Sequence, residues 1–172
     1  MINSEIVDAV REVWGDRLRP IPPEFLSPLL SAQTHWFVRT VGLPAVETVY
    51  SEPVSDEEFR VARHRRQGHE YVAVAEGAGY YYGIEVDTDR VMMVSDGRAD
   101  TYVVNSDVAL FVLFLGVVEK TLSALDEQPD LADDRIEEAI YGVIAQLRLR
   151  DAEAMAGRDN FWFNLLCELL EF

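Results

Sequence analysis

The longest apolar stretch of the chain covers Val108–Val118 and contains one glycine but no polar residue. A helix that is apolar on all sides is buried in a protein core rather than laid on its surface. Asn105 and Ser106 are favourable N-cap residues, and Asp107 places a negative charge at the positive end of a helix. The pattern therefore predicts a buried central helix in the stretch Thr101–Leu125.

Other segments show the helical spacing of apolar residues along one face. In the second of them, the pattern directs Trp36, Phe37 and Val41 toward the core. Asp133 or Asp134 can cap the helix that follows the acidic loop. The predicted helices are Glu5–Trp14, Ser31–Val41, Ile136–Leu149 and a last helix or helix pair formed by Asp151–Met155 and Asn160–Leu170.

The middle of the chain changes to the short alternating pattern of β-strands, with turn residues between them. Tyr82 and Ile84 point to one face, which we expect to pack on the central helix, whereas Tyr81 and Glu85 point to a second face that is expected to be partly wet. The predicted strands are Glu47–Ser51, Phe59–Ala62, Tyr71–Glu76, Tyr80–Val86, Val91–Val94 and Thr101–Val104.

Together these elements predict an α+β fold, in which an antiparallel meander of five to six strands carries helices packed on it. The length of 172 residues suits one domain. No repeat, low-complexity tract or linker interrupts the sequence. We therefore expect residues 1–172 to form a single domain.

The formal net charge of −16 argues against binding to nucleic acid or to an anionic membrane over most of the surface. It suits a cationic protein partner, and it can also serve solubility alone. Cys167 is the single cysteine, and residues 1–19 lack the pattern of a signal peptide, so we expect a reducing cytoplasmic location. A membrane-spanning helix needs about 20 apolar residues, so the run at Val108–Val118 is expected to be core.

A run of carboxylates follows the central helix, and Arg135 is the one basic residue within it. One interpretation is a solvated loop and helix start, where acidic side chains favour the helix dipole. The other is a docking patch for a basic protein, whose association the charge would accelerate and salt would weaken. The candidate partner-binding residues are Asp126, Glu127, Asp130, Asp133, Asp134, Glu137 and Glu138.

The one basic cluster is Arg63-His64-Arg65-Arg66, followed by His69, in a predicted loop between strands. It can grip a phosphate or an acidic partner. It can equally be a solvated loop that offsets the acidic residues at 56–58.

The sequence contains no catalytic, metal or cofactor signature. Ser106 lacks the Gly-x-Ser-x-Gly elbow and is expected to be a helix cap. Cys167 has no histidine close in sequence and is expected to be a buried structural thiol. His35 has no second ligand at a metal-binding spacing. Asp87 and Asp89 lie in a turn, where aspartate is common. We therefore predict no catalytic residue, no metal and no cofactor.

Several short motifs follow one another along the chain: Trp36-Phe37-Val38 with Gly42-Leu43-Pro44, Val104-Asn105-Ser106 with Ala109-Leu110-Phe111, and Arg150–Met155 with Phe161-Trp162. Their order and spacing, from about Pro22 to Leu170, resemble those of the fourth SUKH family of immunity proteins. Asp107 stands where that family usually has a second serine, and it retains the capacity to cap a helix.

The resemblance implies an α+β fold and an immunity protein of a bacterial polymorphic toxin system. Such proteins bind a cognate toxin domain, often a nuclease, and block it without catalysis. An acidic inhibitor suits a basic nuclease. The alternative function is a regulatory or scaffold module that binds a cellular partner with the same fold. A third class, a small hydrolase or metal enzyme, requires Cys167 or a carboxylate pair to meet a histidine in a pocket.

Overall fold

The computed structural model describes residues 2–61, 63–95, 101–128, 132–157 and 160–170, and it confirms the predicted α+β fold. Short 3-10 turns cover Gly15–Arg17 and Pro23–Phe25. The helices are α1 (Ser4–Trp14), α2 (Ala32–Thr40), α3 (Asp56–Val61), α4 (Val108–Asp126), α5 (Asp133–Arg150) and α6 (Phe161–Glu168). The strands are β1 (Leu18–Arg19), β2 (Leu43–Pro44), β3 (Glu52–Pro53), β4 (Arg63–Arg66), β5 (His69–Gly77), β6 (Tyr80–Glu85), β7 (Val91–Ser95) and β8 (Thr101–Asn105).

Strands β3 to β8 form one antiparallel sheet in the order β3-β5-β6-β7-β8, and β4 pairs with β5 beside β3. The strands β5 to β8 follow one another as a meander, as the alternating pattern predicted. A register shift between Ala73 and Ala75 marks a β-bulge in β5. A separate antiparallel ribbon joins β1 to β2.

Helix α4 is the buried centre of the fold, as predicted. All residues of Val108–Val118 are buried, and the ring of Phe111 lies 5.0 Å from that of Tyr82 on the sheet. Helix α1 packs on α4, where Trp14 Nε1 donates to the carbonyl oxygen of Val112 at 2.8 Å. By length and composition alone α4 is also apolar enough to cross a membrane, a test that buried core helices pass equally. Its burial between sheet and helices is that of a core helix.

The predicted caps of two helices were wrong by one or two residues. The N-cap of α4 is Asp107, whose Oδ1 accepts from the backbone N–H of Leu110 at 2.9 Å. Asn105 and Ser106 bond to another part of the chain instead. The N-cap of α5 is Ala132, which makes no side-chain capping bond, so Asp133 and Asp134 lie inside the first turn. Capping is decided by backbone geometry, which neighbouring candidate residues do not resolve.

Burial raises the pKa of Asp107. Hydrogen bonds from the α4 backbone lower this pKa in part, and the nearby charges of Asp151 and Asp89 raise it further. The native state therefore binds this proton more tightly than the unfolded chain does, so ionisation of Asp107 reduces stability as pH rises above the ordinary aspartate range. Asparagine caps helices as well as aspartate. We expect Asp107→Asn to be more stable than the wild type at neutral pH and to lose this advantage in acid, measured by urea unfolding from pH 3 to 8.

The segment Phe59–Ala62 is not a strand, which corrects the prediction. Up to Val61 it belongs to α3, and Ala62 lies outside the described residues. The side chain of Ser55 accepts from the N–H of Glu58 at 3.2 Å, and the carboxylate of Glu58 accepts from the N–H of Ser55 at 2.7 Å. This reciprocal capping box starts a helix, and its Ser-x-x-Glu spacing was present in the sequence.

The basic segment Arg63–Arg66 is the edge strand β4, not a loop, and it helps to bury a face that was predicted to be wet. The ring of His64 stacks on Tyr81 at 4.0 Å. Glu85 is 7% exposed and accepts from the hydroxyl of Thr88 at 2.5 Å. The prediction failed because the alternation showed two faces but not what covers the second one.

Two further predicted elements are turns. In Glu47–Ser51, the hydroxyl oxygen of Thr48 accepts from the N–H of Ser51 at 3.0 Å, and strand pairing begins only at Glu52. Asp151–Met155 likewise forms turns between α5 and α6 instead of a helix. In both segments, a side chain that bonds the local backbone competes with regular structure.

The predicted core position of Trp36 was also wrong. Helix α2 buries Thr34, Phe37 and Val38, while Trp36 is 48% exposed. Val41, which follows the helix, is buried as expected. The face set by 34, 37, 38 and 41 has the regular helical spacing, and Trp36 lies off it.

Candidate protein-docking surface

The predicted acidic residues lie at one corner of the fold, where α4 ends and α5 begins. Asp130 lies outside the described residues. Asp126 is the last residue of α4, and Glu127 caps its C-terminus. The other four occupy the first two turns of α5, which packs on α4. We call this exposed set the acidic corner, and its members are Asp126, Glu127, Asp133, Asp134, Glu137 and Glu138.

Helix electrostatics explains only part of the acidic corner. Asp133 and Asp134 stand at the positive N-terminal end of α5, where a carboxylate is stabilising. Asp126 and Glu127 stand at the negative C-terminal end of α4, where a carboxylate is unfavourable. The stability of the fold therefore gives no reason for the acids on α4.

One ion pair joins the described charges of the acidic corner. Arg135 Nη1 lies 2.9 Å from Glu138 Oε2, and both side chains are mostly exposed. An exposed pair of this kind contributes at most about 1 kcal/mol and leaves most of the local negative charge uncompensated. The corner thus projects a negative field into solvent, and such a field accelerates association with a positively charged surface.

The outward face of α5 adds apolar side chains to this charge. Tyr141 is 58% exposed and Leu149 is 90% exposed. Their spacing of four residues from Ala145 on either side places all three on one stripe, opposite the buried residues of the same helix. This stripe was not part of the prediction for Ile136–Leu149, because that prediction used only the apolar residues of the face directed toward the core.

The basic cluster is partly engaged within the fold. Arg66 Nη2 donates to the carbonyl oxygen of Ser95 at 2.8 Å, and His69 Nδ1 lies 2.9 Å from the carboxylate of Glu85. With His64 stacked on Tyr81, three members of the cluster hold the sheet edge rather than standing free.

The three histidines and the cysteine lie on four different elements of the fold. His35 Nε2 lies 2.6 Å from the carbonyl oxygen of Ser27, and His64 and His69 lie on the sheet. Cys167 is on α6 and is half-buried, so it is less enclosed than predicted. In the part of the chain that the structure describes, no group of three or more histidine, cysteine, aspartate or glutamate side chains could hold a metal ion.

A buried hydrogen-bond network lies where β8 turns into α4. The carboxylate of Asp151, 4% exposed, accepts from Asn105 Nδ2 at 3.2 Å, from the Ser106 N–H at 2.9 Å, from Ser106 Oγ at 2.8 Å and from the Ala154 N–H at 3.2 Å. Trp162 Nε1 donates to Asn105 Oδ1 at 2.8 Å. Each oxygen of the carboxylate accepts two hydrogen bonds, so no acceptor is left without a partner. The network therefore connects the segment after α5 to the β8–α4 corner, and it connects that corner to α6.

Comparison with known proteins decides the family. The model of the SUKH-4 immunity protein family matches residues 7–168. The chain belongs to the SUKH-4 immunity protein family. No curated protein and no solved structure matches it. Membership indicates a toxin-neutralising immunity function and a cognate toxin as the partner, and it suggests a role without catalysis.

The buried network joins two of the three motif groups of this SUKH-4 protein. These motif segments are far apart in sequence, and they meet in one network. The carboxylate of Asp151 accepts from Asn105 and Ser106, and Trp162 donates to Asn105. These two motif groups therefore have a structural role in the fold.

Proposed function

We propose that this SUKH-4 protein neutralises a basic toxin domain of a bacterial polymorphic toxin system, such as a nuclease, in the cytoplasm. The acidic corner docks on the cationic surface that the toxin uses for its own substrate. The observation that carries the proposal is the pair of exposed carboxylates at the C-terminus of α4, Asp126 and Glu127, where helix stability disfavours them. Side chains that are locally unfavourable for the fold are typical of functional sites.

The mechanism requires no chemistry from the inhibitor. Opposite charges guide the two proteins together, and the bound inhibitor excludes the toxin's substrate by occupying its surface. A polyanionic substrate and the acidic corner compete for the same cations. Neutralisation is therefore stoichiometric, and added salt slows association.

The test uses the toxin domain encoded next to this protein's gene. In the docking variant, four carboxylates of the acidic corner become amides: Glu127→Gln, Asp133→Asn, Asp134→Asn and Glu137→Gln. With about 0.5 kcal/mol for each exposed charge, we expect Kd to rise about 30-fold, mainly through slower association, with a shallower salt dependence. Surface plasmon resonance with a catalytically inactive toxin measures this effect, and co-expression with the active toxin measures protection of the cells.

A matched control changes the same number of exposed acids away from the acidic corner and from α5: Asp8→Asn, Glu12→Gln, Asp16→Asn and Glu24→Gln. Both variants raise the net charge from −16 by four units. If the two variants lose affinity equally, overall charge and not the acidic corner attracts the toxin. If the wild-type chain neither binds nor neutralises the adjacent toxin domain, the toxin proposal fails and the scaffold alternative replaces it.

A further inference from the structure

The outer face of α5 is amphipathic along its length. We define this face by its exposed residues Asp134, Glu137, Glu138, Tyr141, Ala145, Arg148 and Leu149. Positions three and four residues apart share a helix face, so the acids of the first two turns continue directly into the apolar side chains of the later turns. The acidic corner and this apolar stripe form one continuous surface.

The single arginine on the outer face is tied to the protein itself. The guanidinium of Arg148 lies 5.5 Å from the centre of the Phe163 ring, a cation–π geometry. This contact holds the cation toward α6, beside the stripe. Tyr141 and Leu149 therefore remain open as the apolar contacts of the face.

The stripe leads into a groove at the N-terminal ends of α1 and α4. Leu149 lines it together with the apolar residues Ile6 and Leu110 and with polar and charged residues, among them Glu5, Gln146 and Arg150. The groove has a volume of about 720 Å³. This space is large enough for one or more apolar side chains of a partner. Such side chains would cover Leu149 together with Ile6 and Leu110. The surface thus offers a charged end, a tyrosine in the middle and a partly apolar groove at the far end.

We propose that the outer face of α5 is the energetic centre of the toxin interface, and that it binds an amphipathic cationic segment of the toxin domain. Basic residues of that segment lie against the acidic corner, and aliphatic or aromatic residues cover Tyr141 and enter the groove beside Leu149. This inference rests on the proposed function and names the part of the partner that is bound. A second copy of this chain is disfavoured as the occupant, because it carries the same net charge of −16 and like charges repel.

The two halves of the surface should have different kinetic effects. Charges at the edge of an interface act mainly on the association rate and on its salt dependence. Buried tyrosine anchors act mainly on the dissociation rate, and truncating one typically weakens binding about 30-fold or more. The apolar stripe can therefore be tested separately from the acidic corner.

The test is the double variant Tyr141→Ser with Leu149→Ser, measured by surface plasmon resonance on the inactive form of the adjacent toxin domain. We expect the dissociation rate to rise about 30-fold or more, with the association rate and its salt dependence nearly unchanged. The matched control replaces a tyrosine and an aliphatic residue that are exposed elsewhere, Tyr102→Ser with Val49→Ser, and should leave both rates nearly unchanged.

A second measurement does not depend on the loss of a side chain. A solvent-sensitive fluorophore attached to Leu149→Cys in a Cys167→Ser background should shift to shorter wavelength when the toxin domain binds. An unchanged dissociation rate and no spectral shift, with the wild type still neutralising, would overturn the α5 site and leave the proposed function standing. Self-association of the wild-type chain that the double variant abolishes would also overturn it, in favour of a second copy. Absence of any toxin binding by the wild type refutes both proposals.

Discussion

Asp151→Ala is expected to lower the free energy of unfolding by about 3–5 kcal/mol, a large share of the roughly 5–15 kcal/mol that a domain possesses. The substitution removes an acceptor shared by four donors, among them the side chain of Asn105 and both the N–H and the hydroxyl of Ser106. Buried donors that lose a charged acceptor incur their full desolvation cost. Urea unfolding followed by circular dichroism measures the change.

The control lies two residues away. Glu153 is exposed and pairs with Arg90 at 3.0 Å, so Glu153→Ala should change stability by less than about 1 kcal/mol. Asp151→Asn, which retains one acceptor oxygen, should fall between the two. If Asp151→Ala is no more destabilising than Glu153→Ala, the network does not hold the β8–α4 corner, and the structural account of the family motifs is wrong.

The second large effect is expected at Gly116, where α1 crosses the buried helix. A Cβ added there would lie 2.5 Å from Trp14 Nε1, the atom that bonds to the carbonyl oxygen of Val112. Alanine is a better helix former than glycine by about 1 kcal/mol, but overpacking a core costs about 1–3 kcal/mol or more. We expect Gly116→Ala to be destabilising by about 2 kcal/mol in urea unfolding, because Trp14 must move.

Gly142 in α5 is the matched control, because a glycine-to-alanine substitution there creates no close contact. A Cβ added at Gly142 meets no atom within 4 Å. Gly142→Ala should therefore stabilise the protein by about 0.5–1 kcal/mol through helix propensity alone. The two identical substitutions are expected to have opposite signs. A stabilising Gly116→Ala would contradict the close contact of α1 with α4.

The candidate site was only partly predictable from the sequence. The residues of the acidic corner are close in sequence, so their proximity in the fold required no long-range information. The exposure of Tyr141 and Leu149 could have been inferred from the predicted stripe of α5, because both residues lie opposite Ile140 and Val143. That Leu149 borders a groove could not be inferred, since Ile6 and Leu110, which also line it, come from distant helices.

The sequence by itself determined the buried helix, the meander of strands and the family, because each depends on local periodicity or on the order of short motifs. Only the tertiary structure decided which residue caps α4, what covers Tyr81, and that Asn105, Asp151 and Trp162 meet. The last two are pairings between groups far apart in the chain, and the cap is Asp107 because Asn105 and Ser106 bond to Asp151. Local spacing fixes the face on which a side chain lies, but its hydrogen-bond partners and its exposure depend on which other element is packed against that face.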